Sequence, residues 1–535
     1  MNAAAGAPPR DYGRWRALVL ILVHVLIGLH IAHWLVAGRT LAPLEFNEVM
    51  HTLELGLVTA GFLLMATAVL ATAVFGRFFC GWACHVLALQ DLCVWLLKRA
   101  GIAAKPVRSR ALRVAPFVVM GYMFVWPQLV RWWHGDPLPA LHIAGTEQAW
   151  ASLVTNDFWR NLPGPWIGSL TLATCGFAVV YLLGSRAFCF AGCPYGAVFA
   201  LASRLAPGSI RLRGACNDCG RCTAACQSGI WVHEEVRRFG QIVDSRCLRD
   251  LDCVAACPEG ALAFGLGRPA GLRSLERGGS RRPPNTWTWF EDVLAGATML
   301  AGVLVYRGLY GEVPFLMAVG IGACLACLAV MARRMLAGED VRLRGLELAR
   351  SGRRTGIGWI VIALLGAVAA FTAHSAVVRW HEAAGLAAFE RVRATLASGG
   401  NPRDDLAAAL DAHDVVERWG LSNPVDHSRR LASLHAWSGA PTRAEPHLRG
   451  VLAHAASDHE ARMRLAAVLA GAGRTAESLA ELRELALAHR REALAEGVRV
   501  GAVRVAERLS MMAQQRGSAA DHEAALAVIG ELGAR

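Results

Sequence analysis

The stretch from Cys216 to Pro258 limits what this chain can become more than any other. It holds Cys216, Cys219, Cys222 and Cys226 in the spacing C-x2-C-x2-C-x3-C, and the same rhythm returns as Cys247, Asp250, Cys253 and Cys257, followed by Pro258. Three thiolates at such intervals wrap one iron–sulfur cubane, and the fourth of each run reaches the other one. Zinc also accepts C-x2-C pairs, but two interlocking runs with a trailing proline favour iron–sulfur. The expected ligand sets are Cys216, Cys219, Cys222 and Cys257 for one [4Fe-4S] cluster, and Cys247, Asp250, Cys253 and Cys226 for the other. Asp250 stands where the rhythm asks for a thiol. A carboxylate there ligates iron weakly, leaves a three-iron cluster, or is a lost ligand left in solvent, so the second cluster is expected to be the more labile. Gln227 replaces the proline that would follow the first run.

A second duplication lies upstream. GRFFCGWACHVLA from Gly76 and SRAFCFAGCPYGA from Ser185 share an arginine, a phenylalanine before the first cysteine, and C-x3-C. Cys80/Cys84 and Cys189/Cys193 are at i,i+4, so on a helix each pair faces one way. Meeting at a pseudo-twofold, the pairs could hold a third iron–sulfur cluster or another thiophilic metal, or act as redox-active dithiols. Plain packing is the alternative. Cys80–His85 also approaches the haem c attachment motif, but on the wrong side of a membrane, which leaves His85 as a possible extra ligand.

That membrane follows from composition. The chain of 535 residues is 54 % hydrophobic with mean hydropathy +0.35, too apolar for a soluble protein of its length. Apolar runs at about 17–37, 52–75, 112–130, 165–184, 290–308, 314–332 and 358–378 each approach the ~20 residues a bilayer needs. Arg307 makes the fifth the least regular. Basic residues crowd the segments after the second and sixth runs, whereas 38–51, 131–164 and 309–313 are poor in them. By the positive-inside rule this predicts seven spans in a bacterial inner membrane, a cytoplasmic N-terminus, every cluster-forming cysteine on the cytoplasmic side, and the C-terminus outside. Arg10, Arg14 and Arg16 before Ala17–Ala37 suggest a signal peptide, yet the run is long enough to span and reads as an uncleaved first helix. The net charge of +13 serves orientation; no nucleic-acid module is present. The 15 cysteines do not resemble a disulfide framework.

The fold expected is mainly α, a polytopic helix bundle with an inserted α+β ferredoxin-like domain. Its parts are a four-span membrane domain at 1–210, the ferredoxin-like domain at 211–266, a linker at 267–289 with Pro269, Pro283 and Pro284, three further spans at 290–380, and a helical domain at 381–535. In the last, LASLHAWSGAPTRAEPHLRGVLA from Leu431 and LAAVLAGAGRTAESLAELRELA from Leu465 are alike, and Ala444-Glu445 recurs as Ala476-Glu477. The period resembles a tetratricopeptide repeat, with a generic helical bundle as the alternative; either presents a surface to a partner protein.

Weaker candidates are His24, His30 and His33 on the first span, for b-haem or packing, and His51 and Glu54 beside the second, for quinol protons. Cys324 and Cys327 read as packing residues, and Trp132, Trp133, Trp150, Trp159 and Trp166 as an interfacial belt. No phosphate loop, dinucleotide fingerprint or Ser/His/Asp constellation is present.

Two C-x3-C motifs after membrane spans, followed by a two-cluster ferredoxin, resemble the NapH/NosR/CcoG group of membrane polyferredoxins over roughly residues 17–266. Cys189, Cys193 and Pro194 match the group's C-x3-C-P; Cys80 and Cys84 match, with His85 in place of proline. The resemblance implies a membrane iron–sulfur protein relaying electrons between the quinone pool and a partner reductase, which the C-terminal helical domain would dock. It equally admits copper reduction during enzyme assembly. A redox-sensing regulator is a third class.

Overall fold

The computed structural model describes residues 11–533 except 105, 145–152, 156–157, 160–163, 277–284, 423 and 492–493. It divides into two compact units, Met1–Arg307 with Pro314–Val368, and Gly308–Val313 with Ala369–Arg535.

In the first unit, sequence and structure agree on where most apolar helices lie. Among the described residues six helices are long and apolar enough to cross a membrane: Tyr12–Ala37, Arg110–His134, Pro165–Leu183, Trp289–Tyr306, Phe315–Leu336 and Gly356–Ala397. The run expected at 52–75 is shorter than that. Gly56, with φ at 77°, ends a separate helix Val49–Leu55, and the Thr59 hydroxyl accepts the Phe62 N–H to start a new one, Ala60–Phe75. Arg307 does not interrupt the fifth apolar helix, because it falls just beyond its last residue. That helix opens with a capping box in which Thr288 and Glu291 satisfy each other's backbone N–H groups. Glu291 also accepts a hydrogen bond from Arg334 at 2.6 Å, pinning it to the far end of Phe315–Leu336. These two helices touch where small residues let them: a Cβ on Gly302 would come within 3.0 Å of the Gly322 Cα.

The ferredoxin-like part is closed by two antiparallel strands, Gly208–Leu212 and Leu262–Leu266, with Gly208 opposite Leu266 and Leu212 opposite Leu262. Between them Ile210, Ile230, Val236 and Ile242 form a small core that includes Cys222, Cys247 and Cys253. Of the linker, Ala270–Glu276 is helical; Pro283 and Pro284 lie outside the described residues. A three-stranded sheet, Val341–Leu343, Leu346–Arg350 and Arg353–Arg354, was not anticipated. Its signal is in the turns: Arg344-Gly345 and Ser351-Gly352 all take positive φ, the requirement of two-residue hairpins.

The second unit consists of helices packed as consecutive hairpins. The two similar segments fall on Val425–Trp437 with Pro441–His454, and on His459–Gly471 with Thr475–Arg491. The recurring Glu445 and Glu477 share Arg449 and Arg474 in an exposed ion-pair network. The helix Gly356–Ala397 runs through the boundary expected at 380.

Candidate functional site

Both cysteine runs follow the same backbone path. Between Cys216 and Cys222 the left-handed residues are Asp218 (φ 57°) and Gly220 (φ 70°); between Cys247 and Cys253 they are Arg249 (φ 56°) and Leu251 (φ 65°). A one-turn helix follows each, Arg221–Ala225 and Asp252–Ala255. Non-glycine residues in this region cost on the order of 1 kcal/mol each and persist where the surroundings demand a loop coiled around a point. Asp250 therefore occupies the backbone position of Cys219.

The first expected ligand set fits a cluster: Cys216, Cys219, Cys222 and Cys257 line one hollow, together with Gly220 and Pro258. Of the second set, Cys226, Cys247 and Cys253 lie within electrostatic reach of one another. Burial pushes the Cys226 thiol up to about 12 and Cys253 well above its ordinary value. Such thiols become thiolates only against a strong local cation, the role iron would fill.

Asp250 is neither solvated nor alone, which removes the lost-ligand-in-solvent reading. It is 7 % exposed and paired with the wholly buried Arg186. Arg16, from the long apolar helix Tyr12–Ala37, approaches the same carboxylate at 3.9 Å, Asp252 at 3.8 Å and Asp91 at 2.9 Å. Two guanidiniums thus sit among three carboxylates. Burial alone would raise the Asp250 pKa, but Arg186 and then Arg16 outweigh it and hold the carboxyl below its usual range.

The two C-x3-C motifs come together. In each, the second cysteine is the N-cap of the next helix: Cys84 precedes His85–Arg99 with ψ 117°, and Cys193 precedes Pro194–Ala202 with ψ 111°. The Gly196 N–H donates to Cys193 Sγ at 3.3 Å and Gln90 Nε2 to Cys189 Sγ at 3.4 Å, while Arg77 Nη2 lies 3.9 Å from Cys80 Sγ. Helix N-termini and a buried arginine both favour negative charge here. Burial still dominates, pushing Cys189 up to about 11 and Cys193 to about 12. Among the described residues no three His, Cys, Asp or Glu side chains converge as a single metal ion requires. None of the fifteen cysteines is in a disulfide.

The second run lies directly on the first C-x3-C motif. A Cβ on Gly81 would meet the Leu248 carbonyl oxygen at 2.2 Å, so only glycine allows this approach. Trp82 Nε1 donates to the Arg249 carbonyl at 2.9 Å, and Arg77 Nη1 to that of Ser245 at 3.3 Å.

The remaining candidates sit elsewhere in the bonding scheme. His24 bonds the Leu20 carbonyl, His30 that of Leu41, and His33 the Thr40 hydroxyl, which secures the helix to the loop after it. His85 opens its helix with an exposed side chain. Cys324 and Cys327 are buried with Cys175 in the apolar core. Trp132, Trp133, Trp159 and Trp166 are exposed, and Trp150 lies outside the described residues. His51 and Glu54 fall on the short helix Val49–Leu55. The acids nearby are instead the half-buried Glu45, raised by desolvation to about 7, and the buried Glu48, whose carboxylate accepts the Gly61 N–H at 2.9 Å. Phe46 between them packs on Phe79, Tyr195 and Phe199 beside Cys80. Two acids just ahead of a span were the signal available for them.

Comparison with known proteins agrees with this arrangement. A "4Fe-4S binding domain" model matches residues 57–101 and 166–213, one C-x3-C motif in each, and a "4Fe-4S dicluster domain" model matches 215–262. YccM of Escherichia coli K12, provisionally described as an electron transport protein, is 27 % identical over 220 residues, 39 % of this chain and 57 % of that protein. The methylamine utilization ferredoxin-type protein MauN of Methylobacillus flagellatus is 26 % identical over 184 residues, 33 % of this chain and 58 % of its own. MauN of Methylorubrum extorquens is 25 % identical over 208 residues, 36 % of this chain and 66 % of its own. The chain thus spans little more than half the length of the first two. No solved structure matches it significantly. Over the matched part, this is a chain with 4Fe-4S binding domains, homologous to ferredoxin-type proteins.

Proposed function

We propose that the chain is a membrane-bound electron relay between the quinone pool and a partner reductase. The ferredoxin-like part would lie on the cytoplasmic side, and the C-terminal hairpins would be the partner's dock. The observation that carries this reading is the contact of the second run with the first C-x3-C motif, through Gly81 against the Leu248 carbonyl and Trp82 against the Arg249 carbonyl. It sets that motif against the second run, which shares a core with Cys222 of the first.

Clusters held by Cys216, Cys219, Cys222 and Cys257, and by Cys226, Cys247 and Cys253, would supply one-electron carriers. The four C-x3-C thiols are the place for a third centre or a dithiol couple. The residues around them do the rest. Arg77 offsets the negative charge of nearby thiolates, Gln90 and the Gly196 N–H orient two sulfurs, and the Phe46, Phe79 and Phe199 rings exclude water. A hollow beside Cys189 is lined by apolar residues, including Leu112 and Phe190, and by arginines, Arg108 and Arg246 among them. An amphipathic ring carrier suits such a site.

The test uses the full chain in anaerobic vesicles. Adding a menaquinol or ubiquinol analogue should bleach the cluster absorption, and Cys189→Ser should abolish bleaching without lowering ferredoxin-cluster iron. Clusters that stay oxidised with quinol while dithionite reduces them would contradict the reading.

A further inference from the structure

Asp250 has the backbone position of a ligand, yet its oxygens are already engaged. Oδ2 takes the Arg186 guanidinium, with Arg16 Nη1 at 3.9 Å, and Oδ1 accepts the Asp252 N–H at 3.3 Å. Arg186 depends on this as much as Asp250 does. Its side chain is 0 % exposed, Asp91 and Asp252 stand off at 3.6 and 3.7 Å, and among the described residues Nε and Nη2 have no hydrogen-bond partner. The contact to Asp250 is its side-chain hydrogen bond. A buried guanidinium stripped of that bond is strongly destabilising.

The duplicated motifs show that this is a specific device. Arg77 and Arg186 hold the same place, three residues before the first cysteine of each C-x3-C. Arg77 has φ −69°, lies beside Cys80 and donates to the Ser245 carbonyl; Arg186 has φ 57°, a left-handed conformation rare for arginine, and pairs with the Asp250 carboxylate. Strain of this kind persists only where the surroundings fix it.

We propose that Arg186 is a positioning residue that keeps the Asp250 carboxylate off the second cluster, which then has three protein ligands, Cys226, Cys247 and Cys253. The inference rests on that run holding a cluster. It deepens the relay reading: the second cluster carries one iron without a protein ligand, and an arginine from the membrane half decides whether Asp250 reaches it.

Iron and sulfide counts with EPR and Mössbauer spectra on the anaerobically purified full chain test this. Asp250→Asn, which can still bond Arg186, should leave iron content and the second cluster's spectrum as in the native chain. Asp250→Cys should replace the signature of the unique iron with that of four-thiolate ligation. Arg186→Gln should free the carboxylate and produce an oxygen-ligated iron; Arg186→Lys should restore the native spectrum, and Arg186→Gln with Asp250→Asn should lose the new signal. If Asp250→Asn lowers the iron count or alters the second cluster's spectrum, the carboxylate is a native ligand and the proposal fails alone. If Cys253→Ser changes no iron signal, no second cluster exists and the cluster reading fails with it.

Discussion

Cys219 and Asp250 sit at matching points of two loops with the same backbone path, and they face different surroundings. Cys219 is exposed and lines a hollow with three other thiols. Asp250 is buried and tied to arginines from the long apolar helix Tyr12–Ala37 and the second C-x3-C motif. Loop shape therefore does not depend on the ligand. It depends on the pairs of left-handed residues, Asp218 with Gly220 and Arg249 with Leu251, which hold in both runs. Once the shape is secured that way, a thiol position can be given over to an ion pair that joins the ferredoxin-like part to the membrane part.

The comparison can be broken most visibly at the ligands. Cys219→Ser should strip iron from the first set, while Asp250→Asn, which keeps a bond to Arg186, should leave the iron content near the native value; equal losses measured by iron analysis would erase the difference. Next in size is the ion pair. Arg186→Met leaves the buried Asp250 and the half-buried Asp91 and Asp252 with Arg16 alone and should destabilise the first unit by about 3–5 kcal/mol in denaturant titration. Adding Asp250→Asn should return part of that, and no recovery would show that Arg186 acts by packing.

The second unit provides a region without cluster thiols. His427 stacks on His413 with ring centroids 5.0 Å apart, and burial first, then His413 and Arg430, hold its pKa at about 3. It is neutral when folded. Its contribution is complete above the ordinary histidine value of ~6.5 and is lost as the pH falls from there towards 3, because the unfolded chain takes up the proton first. Acid melting of the helical signal should flatten in His427→Gln, separately from any acid loss of iron; an unchanged pH profile would contradict this. The smallest effect is at Gly220. Nothing stands within 4 Å of a Cβ built there, so Gly220→Ala should cost only the left-handed backbone term, ~1–2 kcal/mol. A larger loss would mean that the two loops differ in packing as well as in ligand.

Much of this was legible in the residues. Cysteine spacing marks the two runs, shared flanks mark the C-x3-C duplication, and Ala-Glu pairs mark hairpins whose glutamates share arginines. Local patterns report local structure. What escaped depends on distance or on single backbone angles. Asp250 meets Arg186 across 64 residues, and no spacing rule connects them. The second apolar run looks continuous in hydropathy, but Gly56 at φ 77° and the Thr59 cap divide it. Glu48 looks like a loop acid until Gly61 is placed against it.

The most direct measurement of the central claim is a redox titration of the native full chain, followed by EPR with iron counted at each stage. The account predicts two unequal ferredoxin-type centres: one with four-thiolate character, and one that titrates separately and loses iron first. Two equivalent four-iron clusters, reduced together and lost together, would contradict it.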